Sequence, residues 1–154
     1  RLLIGYNGGT SHGGNAVSAA FGSINWQTRL IDTVINGDQS FLVSISSNIW
    51  TLERGVYYMR GEAPFIAPQK VIVRIYNTTD SAVALPGIIS HNNINTANQS
   101  RESASGIVTI TKRTGFKLQY ACNHTQGELY DLGYSDTTGT VASYHSTVDI
   151  IKLR

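Results

Sequence analysis

The chain has 154 residues, 41% of them hydrophobic, which favours one domain over residues 1–154 with a single core. Charged residues make up only 14% and the net charge of +2 is dispersed, so no basic stripe indicates a nucleic-acid-binding protein. No apolar run approaches the roughly 18 residues that membrane insertion requires. Ser, Thr and Asn dominate the polar residues instead, which is typical of β-rich proteins that act outside cells.

The first third of the chain carries the weakest strand signals. The glycine-rich residues 1–14 start with Arg rather than Met, and they predict a flexible or linking segment of a longer or processed chain. Strands are predicted at 16–21, 29–35 and 41–45, and residues 48–52 form either a strand or a single turn. The strand order of this region stays open.

The middle of the chain carries the strongest strand signals. Residues 56–60 are aromatic and two-sided, and residues 71–76 alternate apolar and polar side chains. Pro64 and Pro68 lack an N–H donor, so we expect them to bound these strands or to lie at a sheet edge.

Further strands follow at predicted turns. Residues 77–81 have turn chemistry and lead into a returning strand at 82–85. Gly106 opens a strand at 107–111 that alternates apolar with hydroxyl side chains, and a turn at 113–115 ends it.

Residues 116–122 predict a half-buried strand. Its apolar face comprises Phe116, Leu118, Tyr120 and Cys122. Its polar face comprises Lys117, Gln119 and Asn123. Cys122 is the only cysteine, so no internal disulfide forms, and we expect a buried, inert thiol.

The last predicted strand, at 141–153, is apolar on both faces near its end. Val148 and Ile150 lie on one face, while Ile151 and Leu153 lie on the other. A single surface layer does not need both faces apolar, so the second face packs against a symmetry mate or under the N-terminal segment. The predicted trimer interface comprises Tyr144, Ile151 and Leu153.

The pattern as a whole predicts an all-β fold. No segment carries a helical stripe of apolar residues, and turn signals separate eight to ten strands. At this chain length the pattern favours a jelly-roll β-sandwich.

Two long polar loops, 91–99 and 123–140, are the predicted recognition elements. A sugar ring stacks its C–H face on Trp or Tyr, and its hydroxyls pair with Asn and Asp. The predicted carbohydrate-binding residues are Tyr130, Tyr134, Asp131, Asn92, Asn93, Asn95 and Trp50. Trp50 and Tyr144 lie in strand-like segments, so a place in the core or an interface stays open for both.

The sequence predicts no catalytic residue, no metal and no cofactor. The acidic residues mostly adjoin turns and strand ends, without the carboxylate pair of a glycosidase. The four histidines lack zinc-ligand spacing, and Asp131 and Asp136 lack the dense pattern of a calcium loop.

Strand-and-turn motifs over residues 48–153 resemble the C-terminal domain of phage tail-fibre and tailspike proteins. The motifs are Gly-Val-Tyr-Tyr at 55–58 with Ala63 and Pro64, then 73–80, 103–111, 116–122 and 148–153. Such domains are trimeric jelly rolls like those of tumour necrosis factor (TNF) and complement C1q. The resemblance therefore implies a homotrimer on the tail of a virion, outside cells, in contact with a host-cell glycan.

The predicted function is thus a trimeric tip domain that binds cell-surface polysaccharide, either lipopolysaccharide or capsule. One alternative is a purely structural trimerisation or capping domain without a ligand. A second alternative is an enzyme, a glycan hydrolase or esterase.

Overall fold

The computed structural model describes residues 1–7, 26–66, 70–91, 99–122 and 144–154. The regular structure of these residues consists of strands. The strands are β1 Leu2–Asn7, β2 Gln27–Thr28, β3 Thr33–Gly37, β4 Leu42–Ser46, β5 Ile49–Leu52, β6 Gly55–Ile66, β7 Lys70–Asn77, β8 Ala82–Pro86, β9 Ser90–His91, β10 Gln99–Ile110, β11 Thr114–Cys122 and β12 Tyr144–Lys152.

The strands form two antiparallel sheets. Sheet A has the order β10-β6-β12-β1-β3, and sheet B has the order β4-β5-β11-β7-β8, with β2 beside β11 and β9 beside β7. The chain passes repeatedly from one sheet to the other, which is the topology of a jelly-roll sandwich. Each sheet therefore has an inner face toward the core and an outer face.

The core lies between the sheets and is rich in aromatic side chains. Phe41 packs against Tyr57 with ring centroids 5.6 Å apart, and Phe65 packs against Tyr120 at 5.4 Å. All four rings are buried, and a fully buried large apolar side chain contributes about 1.5–3 kcal/mol. Gly61 allows the sheets to approach closely, because a Cβ there would lie 2.6 Å from the Leu118 Cδ1 atom.

The middle of the chain folds as the alternation predicts. Strand β7 buries Val71, Val73 and Ile75, and β8 returns beside it after a turn. Strand β6 continues past Pro64, but its pairing with β12 ends at Glu62. The proline therefore lies where no N–H donor to β12 is needed, as expected for an edge position.

The N-terminal region differs most from prediction. The prediction of a flexible or linking segment at 1–14 is wrong for Leu2–Asn7. These residues form β1 between β12 and β3, and Leu2 and Ile4 are fully buried. Sequence left residues 48–52 open between a strand and a single turn, and the structure forms a strand there, β5. Ser47 and Asn48, just before it, have φ angles of 51° and 63°. These two left-handed residues form a tight turn that leads into β5. Residues 8–14, the predicted strand at 16–21 and Pro68 lie outside the described residues.

The predicted strand at 29–35 is confirmed only in its second half, as β3. Arg29 is instead buried, and its Nη2 donates a hydrogen bond to the His145 carbonyl oxygen at 2.6 Å. The guanidinium lies 5.4 Å from the Phe65 ring centroid, and burial lowers the pKa of Arg29 to about 10. The residue pattern of 29–35 did not distinguish a buried arginine that precedes the strand from a residue within it.

Strand β11 is buried on both faces rather than half-buried. Cys122 is buried as expected, but Gln119 and Ala121 on the opposite face are also buried, at 5% and 3% exposure. Strand β11 lies in the middle of sheet B. The side chains of Arg74 on β7 and of Trp26, just before β2, lie over its outer face. Strand β10 likewise begins earlier than predicted, at Gln99 rather than Gly106.

Candidate functional site

Most of the predicted carbohydrate-binding residues lie outside the described residues. They are Tyr130, Tyr134, Asp131, Asn92, Asn93 and Asn95. Their role therefore stays a prediction. 

Trp50 is the exception, and its position corrects the prediction. The side chain is fully buried on β5, and its ring stacks against Phe116 of β11 with centroids 6.2 Å apart. A ring without exposed surface has no face to offer a sugar, so Trp50 belongs to the core.

The residues of the predicted trimer interface separate into two groups. Ile151 lies near the end of β12 on the outer side of sheet A, and Leu153 follows just after the strand and is 47% exposed. Tyr144 begins the same strand, seven residues before Ile151, and does not share this part of the surface. The structure thus brings together two of the three predicted positions.

The outer face of sheet A carries a row of apolar side chains across three strands. Tyr58 of β6 is directly opposite Ile107 of β10 on one side and Ile151 of β12 on the other. Directly paired residues in a sheet point to the same face, so the three side chains adjoin. Ile107 is 65% exposed, and together with its two neighbours it forms a contiguous apolar surface.

Two further residues extend this row at one end of the sheet. Val56 lies on the same face of β6 as Tyr58, and its carbonyl oxygen accepts a hydrogen bond from the Leu153 amide at 2.7 Å. We call the five residues Val56, Tyr58, Ile107, Ile151 and Leu153 the apolar patch.

Ion pairs lie beside the apolar patch on the same face. Glu62 contacts Arg60 at 2.5 Å and Arg101 at 3.7 Å, and Asp149 contacts Arg1 at 2.9 Å. The hydrogen bond to Asp149, together with its charge, raises the pKa of Arg1. These pairs set three cations against two carboxylates.

The outer face of sheet B has a different character. Arg74 of β7 lies with its guanidinium carbon 3.7 Å from the centroid of the Trp26 ring and 4.8 Å from that of Tyr76. Its Nε donates a hydrogen bond to Gln119 Oε1 at 2.9 Å, and the Lys117 ammonium lies 5.5 Å from the Tyr76 ring. We call Trp26, Arg74, Tyr76 and Lys117 the basic aromatic cluster.

The charges of this cluster are not compensated within the described residues. The ion pairs there involve other cations, namely Arg1, Arg60, Arg101, Lys112 and Arg113. Partial burial lowers the pKa of Arg74, while the nearby Tyr76 acts in the opposite direction.

Within the described ranges, no group of His, Cys, Asp and Glu side chains is placed to hold a metal ion. The same residues include no apolar helix long enough to span a membrane.

Besides the apolar pair Ile151 and Leu153, the sequence contained one further signal for these surfaces. In strand 107–111, Ile107 shares a face with Thr109 and Thr111, so an apolar residue stands on the hydroxyl side. Trp26 and Arg74 are 48 residues apart in the sequence and come together only across β11, so no local pattern connects them.

Solved structures provide the comparisons, since no protein-family model and no curated protein matches the chain. Murine APRIL at pH 5.0 has a TM-score of 0.61 and 8% identity, over 99% of this chain and 97% of that one. The globular domain of zebrafish complement 1qA has a TM-score of 0.57 and 11% identity, over 100% and 98%. The predicted jelly roll of the TNF and C1q type is confirmed.

Proposed function

We propose that this chain is the trimerisation and receptor-binding domain at the C-terminal end of a phage tail fibre or tailspike. It lies on the virion, outside cells, and it binds host cell-surface polysaccharide, either lipopolysaccharide or capsule. The strand-and-turn motifs over residues 48–153 and the jelly-roll fold support this proposal.

The observation that carries the proposal is the apolar patch. Its side chains remain accessible on the outer face of sheet A, and burying them against other copies removes apolar surface from water. The neighbouring ion pairs bring part of their charge into such an interface already compensated, which lowers the cost of desolvation.

The patch also suits a closed ring of subunits. It lies on the outer face of sheet A, on neighbouring strands, and a three-fold axis beside this face would bring the equivalent patches of three copies together. The ligand would then contact the predicted loop 123–140, which contains Tyr130, Tyr134 and Asp131.

Light scattering tests the oligomeric part of the proposal. We expect a mass in solution of three times the 16.7 kDa of one chain. A monomer or a dimer would contradict the trimer.

Adsorption to host cells tests the receptor-binding part. We expect Tyr130→Ala with Tyr134→Ala to lower adsorption while the trimer mass stays unchanged, because the stacking surface for a sugar is lost. Val43→Ala, at a position that is 40% exposed on β4, is the control and should adsorb normally.

Two outcomes would replace receptor binding by another function. Unchanged adsorption of an intact double variant would favour a structural trimerisation domain. Shortening or deacetylation of purified host polysaccharide by the wild-type protein would indicate an enzyme instead.

A further inference from the structure

The basic aromatic cluster is assembled by the register of three strands. Arg74 of β7 is directly opposite Gln119 of β11, and Tyr76 is opposite Lys117. Strand β2, which Trp26 immediately precedes, pairs with the other side of β11. The Arg74 side chain therefore reaches across β11 to the Trp26 ring.

This arrangement holds the Arg74 guanidinium in a fixed place. Its Nε donates a hydrogen bond to Gln119, and its guanidinium carbon lies 3.7 Å and 4.8 Å from the centroids of two aromatic rings. A guanidinium oriented in this way loses little conformational entropy when it pairs with a carboxylate. Its two terminal nitrogens form no hydrogen bond with a described residue, so they can bind both oxygens of one carboxylate.

Charge indicates which ligand fits the cluster. Lys117 adds a second cation next to Tyr76, and neither cation is paired with a carboxylate in the described ranges. Partial burial of Arg74 strengthens its attraction for an anion relative to a fully exposed side chain. Trp26 and Tyr76, both half-buried, add flat apolar surface beside the two charges.

Acidic sugars combine the two features that this surface complements. Each sugar ring presents an apolar C–H face, and its carboxylate lies at the ring edge. We propose that the basic aromatic cluster binds the carboxylates of an acidic polysaccharide, with Arg74 and Lys117 pairing with the charge and Trp26 and Tyr76 contacting the ring. This inference rests on the proposed function, because it takes the ligand to be a glycan and names its class.

Titration with defined oligosaccharides tests the inference. The probes are oligomers of galacturonic, glucuronic and sialic acid, each compared with its carboxyl-reduced neutral form. We expect at least one acidic oligomer to bind about tenfold or more tightly than its neutral form, and to lose affinity as salt is added. Because Trp26 is half-buried while Trp50 is fully buried, binding should also change the fluorescence of Trp26.

Two pairs of substitutions locate the binding. Arg74→Gln with Lys117→Gln should abolish the preference for the acidic form. The matched control is Lys112→Gln with Arg113→Gln, which also removes two positive charges, from the turn between β10 and β11. This control should retain the preference for the acidic form. Equal binding of acidic and neutral oligomers, no binding of any acidic oligomer, or an unchanged cluster variant would overturn the inference.

The same variants separate this inference from the proposed function. If the Tyr130 and Tyr134 variant loses adsorption to cells while the cluster variant behaves as wild type, the inference fails and receptor binding stands. If the trimer does not adsorb to cells but the cluster binds acidic oligomers, the proposed function fails and the inference stands.

Discussion

The outer faces of the two sheets differ in how their large side chains are used. On sheet A, Ile107 and Leu153 are 65% and 47% exposed, and Arg60 and Arg101 on the same face lie against Glu62. On sheet B, Trp26 and Arg74 pack on each other within one chain, and the charge remains uncompensated. One face is suited to burial against identical copies, and the other is suited to an anionic ligand.

The largest expected effect comes from a charge in the apolar patch. In Ile107→Glu, a trimer would bury three carboxylates without partners, at several kcal/mol each. We therefore expect the mass from light scattering to fall to that of one chain, 16.7 kDa. The isolated chain should still fold, since Ile107 is 65% exposed in it.

The control for this variant places the same charge on the other sheet. Val43→Glu alters a residue of β4 that is 40% exposed, and it should leave the trimer intact. A trimer that persists in Ile107→Glu, with both proteins folded by circular dichroism, would contradict the assignment of sheet A to self-association.

A smaller effect is expected from the cluster on sheet B. Trp26→Ala removes the ring that lies 3.7 Å from the Arg74 guanidinium and uncovers part of β11. Cation–π contacts and partial burial of this kind are together worth about 1–2 kcal/mol. Urea unfolding, carried out in the monomeric Ile107→Glu background, should show this loss of the free energy of unfolding.

Val43→Ala in the same background is the comparison. It shortens a side chain of β4 that is 40% exposed and lies outside the cluster, so we expect a change within about 0.5 kcal/mol. Equal losses for Trp26→Ala and Val43→Ala would mean that the cluster is not a packed unit, and the contrast between the two faces would disappear.

The strands that sequence predicts well are those with local alternation and a marked turn. Residues 71–76 and 82–85 satisfy both conditions, and they form β7 and β8 as expected. Strand β1 was missed because its short apolar run precedes a glycine-rich stretch. Its stability depends on β12, whose paired residues lie about 140 positions away in the sequence, and no local pattern records such a partner.

The surfaces were predictable to a smaller extent. Ile151 and Leu153 were identified because an apolar pair opposite a buried face is visible along one strand. Their neighbours Tyr58 and Ile107 come from other strands, and only the register reveals that they adjoin. Gln119 was expected to face solvent, whereas Arg74 and Trp26 lie over it.

The smallest expected effect concerns the ion pairs beside the apolar patch. Glu62→Gln removes the carboxylate that contacts Arg60 and Arg101, both of which are more than half exposed. In the monomeric Ile107→Glu background, we expect urea unfolding to show a loss within about 1 kcal/mol, because solvent screens exposed pairs. In the trimer, the same change leaves two uncompensated cations per chain near the interface, and their repulsion should raise the protein concentration at which light scattering detects dissociation. If Glu62→Gln weakens the trimer no more than it destabilises the monomer, these charges lie outside the interface. Sheet A would then bury the apolar patch without them.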